Sequence, residues 1–220
     1  MTERPMPRPL NRGERQVDLW VNGLAIGAGV LGVAVLMAVV IPQGRLAPSL
    51  SLLVYSIGLL TMLICSALYN GAGDTCGRGL LRRLDHAAIF VMIAGTYTPF
   101  LFRLDGSWSR WLLVYVWAVA GFGAAMKLLW PYRFERLSVV LYLFLGWTIL
   151  VAIKPLYAAV SVPAIILLVA GGLLYSLGVL FHLWEQLPYQ QPIWHGFVLA
   201  AAVCHYVAVL GEIALPGLFA

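Results

Sequence analysis

Hydrophobic positions fall into seven long runs separated by short polar joints. The runs cover about 19–41, 48–70, 84–103, 111–130, 137–153, 163–184 and 193–215. At 1.5 Å of rise per residue, such stretches are long enough to cross the ~30 Å hydrocarbon layer of a bilayer as helices. The pattern therefore predicts an all-α integral membrane protein, a bundle of seven transmembrane helices. The joints leave no room for a soluble domain, so residues 19–220 are read as one membrane domain. Residues 1–18 differ: they are polar, rich in proline, and carry Arg4, Arg8, Arg12 and Arg15. They read as a disordered basic tail lying against an anionic membrane surface. The first apolar run is too long for the core of a cleaved signal peptide.

Composition strengthens this picture. With 62% apolar and only 10% charged residues, the chain does not suit a water-soluble fold. The net charge of +5 does not mark a nucleic-acid partner, because the basic residues are scattered over helix ends. Their distribution sets topology instead. Ten of the fourteen Lys and Arg lie on one side: the tail, the joint with Arg78, Arg82 and Arg83, and the joint with Lys127, Arg133 and Arg136. The other side holds Arg45, Arg103, Arg110 and Lys154. The positive-inside bias puts the N-terminus in the cytoplasm and the C-terminus outside. Cys65, Cys76 and Cys204 show no metal-binding or disulfide spacing.

The polar residues within the apolar runs carry the candidate chemistry. The third run opens on Asp85-His86, and Thr96 falls on the same helix face. Asp85 reads either as a helix-entry carboxylate pairing with Arg82 or Arg83, or as part of a site. At the same predicted depth, the second run ends with Ser66 and Asn70, four residues apart. The sixth run ends with His182, and the seventh opens with Gln191 and His195, again four apart. Such i, i+4 pairs share a helix face, and that spacing lets one helix offer two groups to a metal. His205 and Glu212 form a smaller feature towards the outer leaflet, read as packing or as a proton path. Glycines at 121, 123, 146, 171 and 172 read as close helix packing, and Trp20, Trp108, Trp111 and Trp184 as interfacial anchors.

Several segments resemble the hemolysin III family, part of the progestin and adipoQ receptor superfamily. They are Arg83-Leu-Asp-His-Ala-Ala-Ile-Phe90, Ala94-Gly-Thr-Tyr-Thr-Pro-Phe100, Ser66-Ala-Leu-Tyr69, Leu141-Tyr-Leu-Phe-Leu-Gly-Trp147, Gly171-Gly-Leu-Leu-Tyr-Ser-Leu-Gly-Val179 and Ile193-Trp-His-Gly-Phe-Val198. The resemblance covers nearly everything after residue 14. It implies seven spans with a cytoplasmic N-terminus, a zinc cofactor near the cytoplasmic side, and kinship with membrane amide hydrolases such as ceramidases. Carried over by position, it implies Asp85 and Ser66 as catalytic residues and His195 as a metal ligand. The two other ligand positions hold Asn70 and Gln191, and a further family histidine in the first span appears as Asn22. His182 and His86 are the candidate substitutes.

Two of three implied zinc ligands are thus neutral amides, and the chain is expected to bind zinc weakly or not at all. Asn70 and Gln191 can donate as well as accept, so they are expected to hold Asp85 by hydrogen bonds in place of the ion. Three functions are open. The first is a non-catalytic or altered-site role in membrane or lipid homeostasis, with a membrane lipid or fatty-acyl ligand in the bundle. The second is a zinc-dependent lipid amide hydrolase using His195 and Asp85. The third, a pore-forming hemolysin or channel, suits the sequence least, since no run carries a continuous polar face.

Overall fold

In hydrocarbon each backbone N–H and C=O must find a partner within the protein, which restricts spanning segments to helices or closed barrels. The apolar runs have no two-residue alternation, and helices result. A computed structural model describes residues 11–72, 77–104 and 106–219. Its helices are α1 (Arg12–Val40), α2 (Leu46–Gly71), α3 (Arg78–Arg103), α4 (Ser107–Leu129), α5 (Glu135–Trp147), α6 (Ile153–Ala159), α7 (Val162–Leu183) and α8 (Gln190–Val209). A 3₁₀ turn over Thr148–Ala152 joins α5 to α6 as the fifth span, and a π-helical turn over Leu210–Ala214 completes the seventh. Seven spans of membrane length result among the described residues, as expected.

The first span begins earlier than its apolar run. Residues 12–18 are helical, not disordered, and residues 1–10 of the expected tail lie outside the described residues, as does Cys76. The local cause is a capping box: Asn11 Oδ1 accepts from the Glu14 N–H at 2.8 Å, and Glu14 Oε2 accepts from the Asn11 N–H at 2.8 Å. Glu14 is fully buried. Its Oε1 accepts the Tyr189 N–H at 2.9 Å, which fastens the start of α1 to the start of α8. Tyr189 adopts φ 58°, an unusual conformation for a bulky side chain, and this bond holds it there.

α2 packs against α3, α3 against α4, and α7 against α8, while α5 touches its neighbours sparsely. The α2–α3 contact is close because Gly58 lies under Val91 and Met92, and Gly95 lies under Val54 and Tyr55; a Cβ at Gly58 would sit 3.3 Å from Met92 Cα. Gly171 likewise admits the His205 ring, whereas Gly121 and Gly146 face open space and are not packing positions. The break between α5 and α6 is satisfied from α3. Tyr97 Oη lies 2.9 and 2.8 Å from the Leu145 and Gly146 carbonyls and accepts the Ile149 N–H at 2.7 Å. His205 and Glu212 take separate partners: His205 Nε2 lies 3.2 Å from the Leu168 carbonyl, while Glu212 Oε1 accepts the Ser161 N–H at 3.0 Å and its carboxylate pairs with Arg103.

Candidate functional site

The cytoplasmic ends of α1, α2 and α8 bring five polar side chains together. On α1, Asp18 and Asn22 share a face one turn beyond Glu14, and both are buried. The tie between Glu14 and Tyr189 sets that face against α8, where His195 lies. His195 Nδ1 and Asp18 Oδ1 are 2.6 Å apart, with only 11% and 4% of their side chains exposed. Asn22 Nδ2 donates to the Asp18 carbonyl at 2.9 Å and to Asp18 Oδ2 at 3.3 Å. Its Oδ1 lies 3.4 Å from Ser66 Oγ.

From α2, Ser66 Oγ lies 3.4 Å from His195 Nε2. Asn70 Nδ2 donates to the Ser66 carbonyl at 2.8 Å and lies 3.3 Å from Ser66 Oγ and 3.4 Å from His195 Nε2. The expected i, i+4 pair Ser66–Asn70 is thus one wall of the site, and His195 is its centre. The carboxylate on Nδ1 fixes the ring: Nδ1 carries the hydrogen and Nε2 presents a lone pair towards Ser66. Hydroxyl, imidazole and carboxylate form a chain along which a proton can be held and passed.

The other expected residues line the same cavity without joining that cluster. The cavity holds about 1100 Å³ and is bordered by Asp85, His86, His182 and Gln191 as well as Ser66, Asn70 and His195. Asp85 pairs with His86 Nδ1 at 3.5 Å rather than with an arginine. Arg82 instead meets Glu135 Oε1 at 2.5 Å and the Pro131 carbonyl at 2.8 Å, and Arg83 donates to the Leu128 carbonyl at 2.9 Å. The amide of Asn70 therefore serves Ser66 and His195, not Asp85. His86 Nδ1 lies 2.8 Å from the Arg82 carbonyl, and the His182 ring leans on Trp194 with centroids 5.0 Å apart.

The residue that sequence reasoning missed is Asp18. It stands where the polar tail meets the first apolar run, so by sequence alone it reads as tail. Its spacing to Asn22 repeats the four-residue interval of Ser66 to Asn70 and of Gln191 to His195, a signal that was available.

The donor set does not match a zinc centre. Zinc takes imidazole, thiolate and carboxylate ligands, three of them in a catalytic site. Here His195 is the cluster's only imidazole, and its free nitrogen faces a hydroxyl and a carboxamide. Among the described residues no three His, Cys, Asp or Glu side chains gather closely enough to share an ion.

Comparison with known proteins agrees with the architecture. A family model described as Haemolysin-III related matches residues 14–206. The chain is 37% identical over 194 residues to the Hemolysin-3 homolog of Bacillus subtilis (strain 168), covering 86% of this chain and 91% of that protein. It is also 37% identical over 194 residues to Hemolysin-3 of Bacillus cereus, with 86% and 89% coverage. The human Monocyte to macrophage differentiation factor is 26% identical over 165 residues, which is 71% of this chain and 67% of that protein. No solved structure matches the chain. With seven spans, a match over nearly the whole membrane domain and two bacterial relatives aligned over 91% and 89% of their lengths, the chain belongs to the hemolysin III family, within the progestin and adipoQ receptor superfamily.

Proposed function

We propose that this chain is a lipid-binding protein of the plasma membrane with an altered, zinc-free polar site, serving membrane or lipid homeostasis. The cavity carries this reading. Asn22, Ser66, Asn70 and His195 line its cytoplasmic end, with Asp18 bonded behind His195, and its walls further along α3 are Met92, Ile93, Tyr97 and Phe100. An apolar slot with a few convergent polar groups at one end suits an amphiphile. The acyl chain lies along α3 and α8, and the polar end meets the cluster.

Asp85 borders the same cavity, which is the observation favouring a zinc-dependent amide hydrolase. The donor set weighs against it. A pore would need a continuous polar path across the bilayer, and no span carries a continuous polar face.

The test is to purify the chain in mild detergent without chelators and to measure both retained lipid and metal. A long-chain acyl lipid is expected to co-purify with wild type and to be depleted in Leu143→Trp, which fills the cavity wall, while zinc stays well below stoichiometric. Absence of any acyl lipid, with no binding of a fluorescent fatty acid, overturns the lipid reading. About one zinc per chain, lost on His195→Ala, overturns the zinc-free reading.

A further inference from the structure

The geometry points to a nucleophilic serine site: we propose that Ser66, His195 and Asp18 cleave a long-chain acyl ester held in the cavity, without a metal. This rests on the acyl-chain reading above and gives the cluster a reaction. Asp18 Oδ1 lies 2.6 Å from His195 Nδ1 and so orients the ring and stabilises the imidazolium that forms when Nε2 takes a proton. Ser66 Oγ lies 3.4 Å from that Nε2. Such nucleophile–base distances are commonly loose until substrate binds.

The amide at a lost ligand position acquires a role. One Asn70 Nδ2 hydrogen goes to the Ser66 carbonyl at 2.8 Å, and the same nitrogen stands 3.3 Å from Ser66 Oγ. Its second hydrogen is therefore placed beside the atom that would attack, where the oxygen of an attacked carbonyl becomes an oxyanion. A carboxamide is a poor zinc ligand and a good oxyanion donor. A helix-joining role alone would not require the hydroxyl, the imidazole and the amide all to border a mostly apolar cavity of about 1100 Å³, as Ser66, His195 and Asn70 do.

The step balances with water as the one co-reactant. Ser66 Oγ bonds to the ester carbonyl carbon as its proton passes to His195 Nε2, and the carbonyl oxygen becomes the oxyanion facing Asn70. The oxyanion collapses, the carbon–oxygen bond to the alcohol breaks, and Nε2 returns its proton to the departing alkoxide. A water molecule then attacks the Ser66 acyl ester, giving its proton to Nε2. Ser66 Oγ leaves with that proton and the fatty acid is released. Cavity-lining Arg82, Glu135 and Gln186 at the cytoplasmic rim mark the side from which water enters. An ester is the fitting substrate, because its alkoxide leaves the tetrahedral intermediate more readily than an amine would.

The full-length chain in detergent is treated with a long-chain alkyl fluorophosphonate and, separately, with a methyl fluorophosphonate; peptide mass spectrometry locates the adduct. The long-chain probe is expected to modify Ser66, unaffected by a zinc chelator. Modification should be lost in His195→Gln and slowed by roughly 10⁴-fold in Asp18→Asn, the size of effect seen when the carboxylate of such a triad is neutralised. The wild-type adduct decides the matter even if a variant fails to fold, and fluorescent fatty-acid binding shows which variants keep the cavity. No adduct on Ser66 with either probe, while the fatty acid still binds, overturns the nucleophile and spares the lipid reading. Modification by the methyl probe alone overturns the long-chain substrate. Loss of modification on chelation overturns metal independence.

Discussion

Two carboxylates near one membrane face have different partners, and this separates their expected effects. Asp18 is buried against His195 and Asn22, so Asp18→Ala strands a ring N–H and an amide N–H in a low-dielectric site. Each stranded group costs about 1–3 kcal/mol, and thermal unfolding in detergent is expected to show a clear fall in Tm. Asp85→Ala removes a 3.5 Å contact with its neighbour His86 and should lower Tm less. A second residue-level prediction concerns metal. Asn70→His with Gln191→His supplies imidazoles at two cavity positions, with Asp18 already behind His195 as the carboxylate that steadies a metal-ligating ring. Elemental analysis should find about one zinc per chain in the double variant and far less in wild type. Ser66, Asn70 and His195 were legible because helical spacing fixes which positions share a face. Asp18 was not, because a charged residue at a run's edge looks like tail until the packing of α1 on α8 is known.

At the level of elements, the existence of all seven spans was legible, since about twenty apolar residues in a row leave the backbone few options in hydrocarbon. Their ends and breaks were not. The capping box lengthens α1 by about two turns beyond its apolar run, from tail-like sequence. The fifth span was expected over 137–153 as one helix, yet it loosens into 3₁₀ geometry at Thr148 and runs on to Ala159. Pro155, which has no N–H for the Val151 carbonyl and crowds it, follows the break directly, and a side chain from another helix satisfies the backbone there. Tyr97 Oη serves the Gly146 carbonyl and the Ile149 N–H at once. Tyr97→Phe should therefore strand a backbone N–H and destabilise the chain by about 1–3 kcal/mol, read as a lower unfolding midpoint. A small effect would mean that the break closes into continuous helix without its partner.

For the whole molecule, the distribution of Lys and Arg puts the cluster at the cytoplasmic face and Phe219 outside. A reporter active only in the cytoplasm, fused after residue 220, should stay silent, and strong activity there would reverse the topology. The same axis gives the cavity a length. Asp85 and Phe100 both border it, and they lie fifteen residues apart on α3, or ~22 Å at helical rise. Phe100 is almost wholly buried. If the carbonyl of a lipid is fixed at Ser66, the far wall becomes a ruler: the bundle sorts chains by how many methylenes fit before the ring is met. Phe100→Ala should shift the retained lipids towards longer chains, and an unchanged chain-length profile would mean that the slot does not measure.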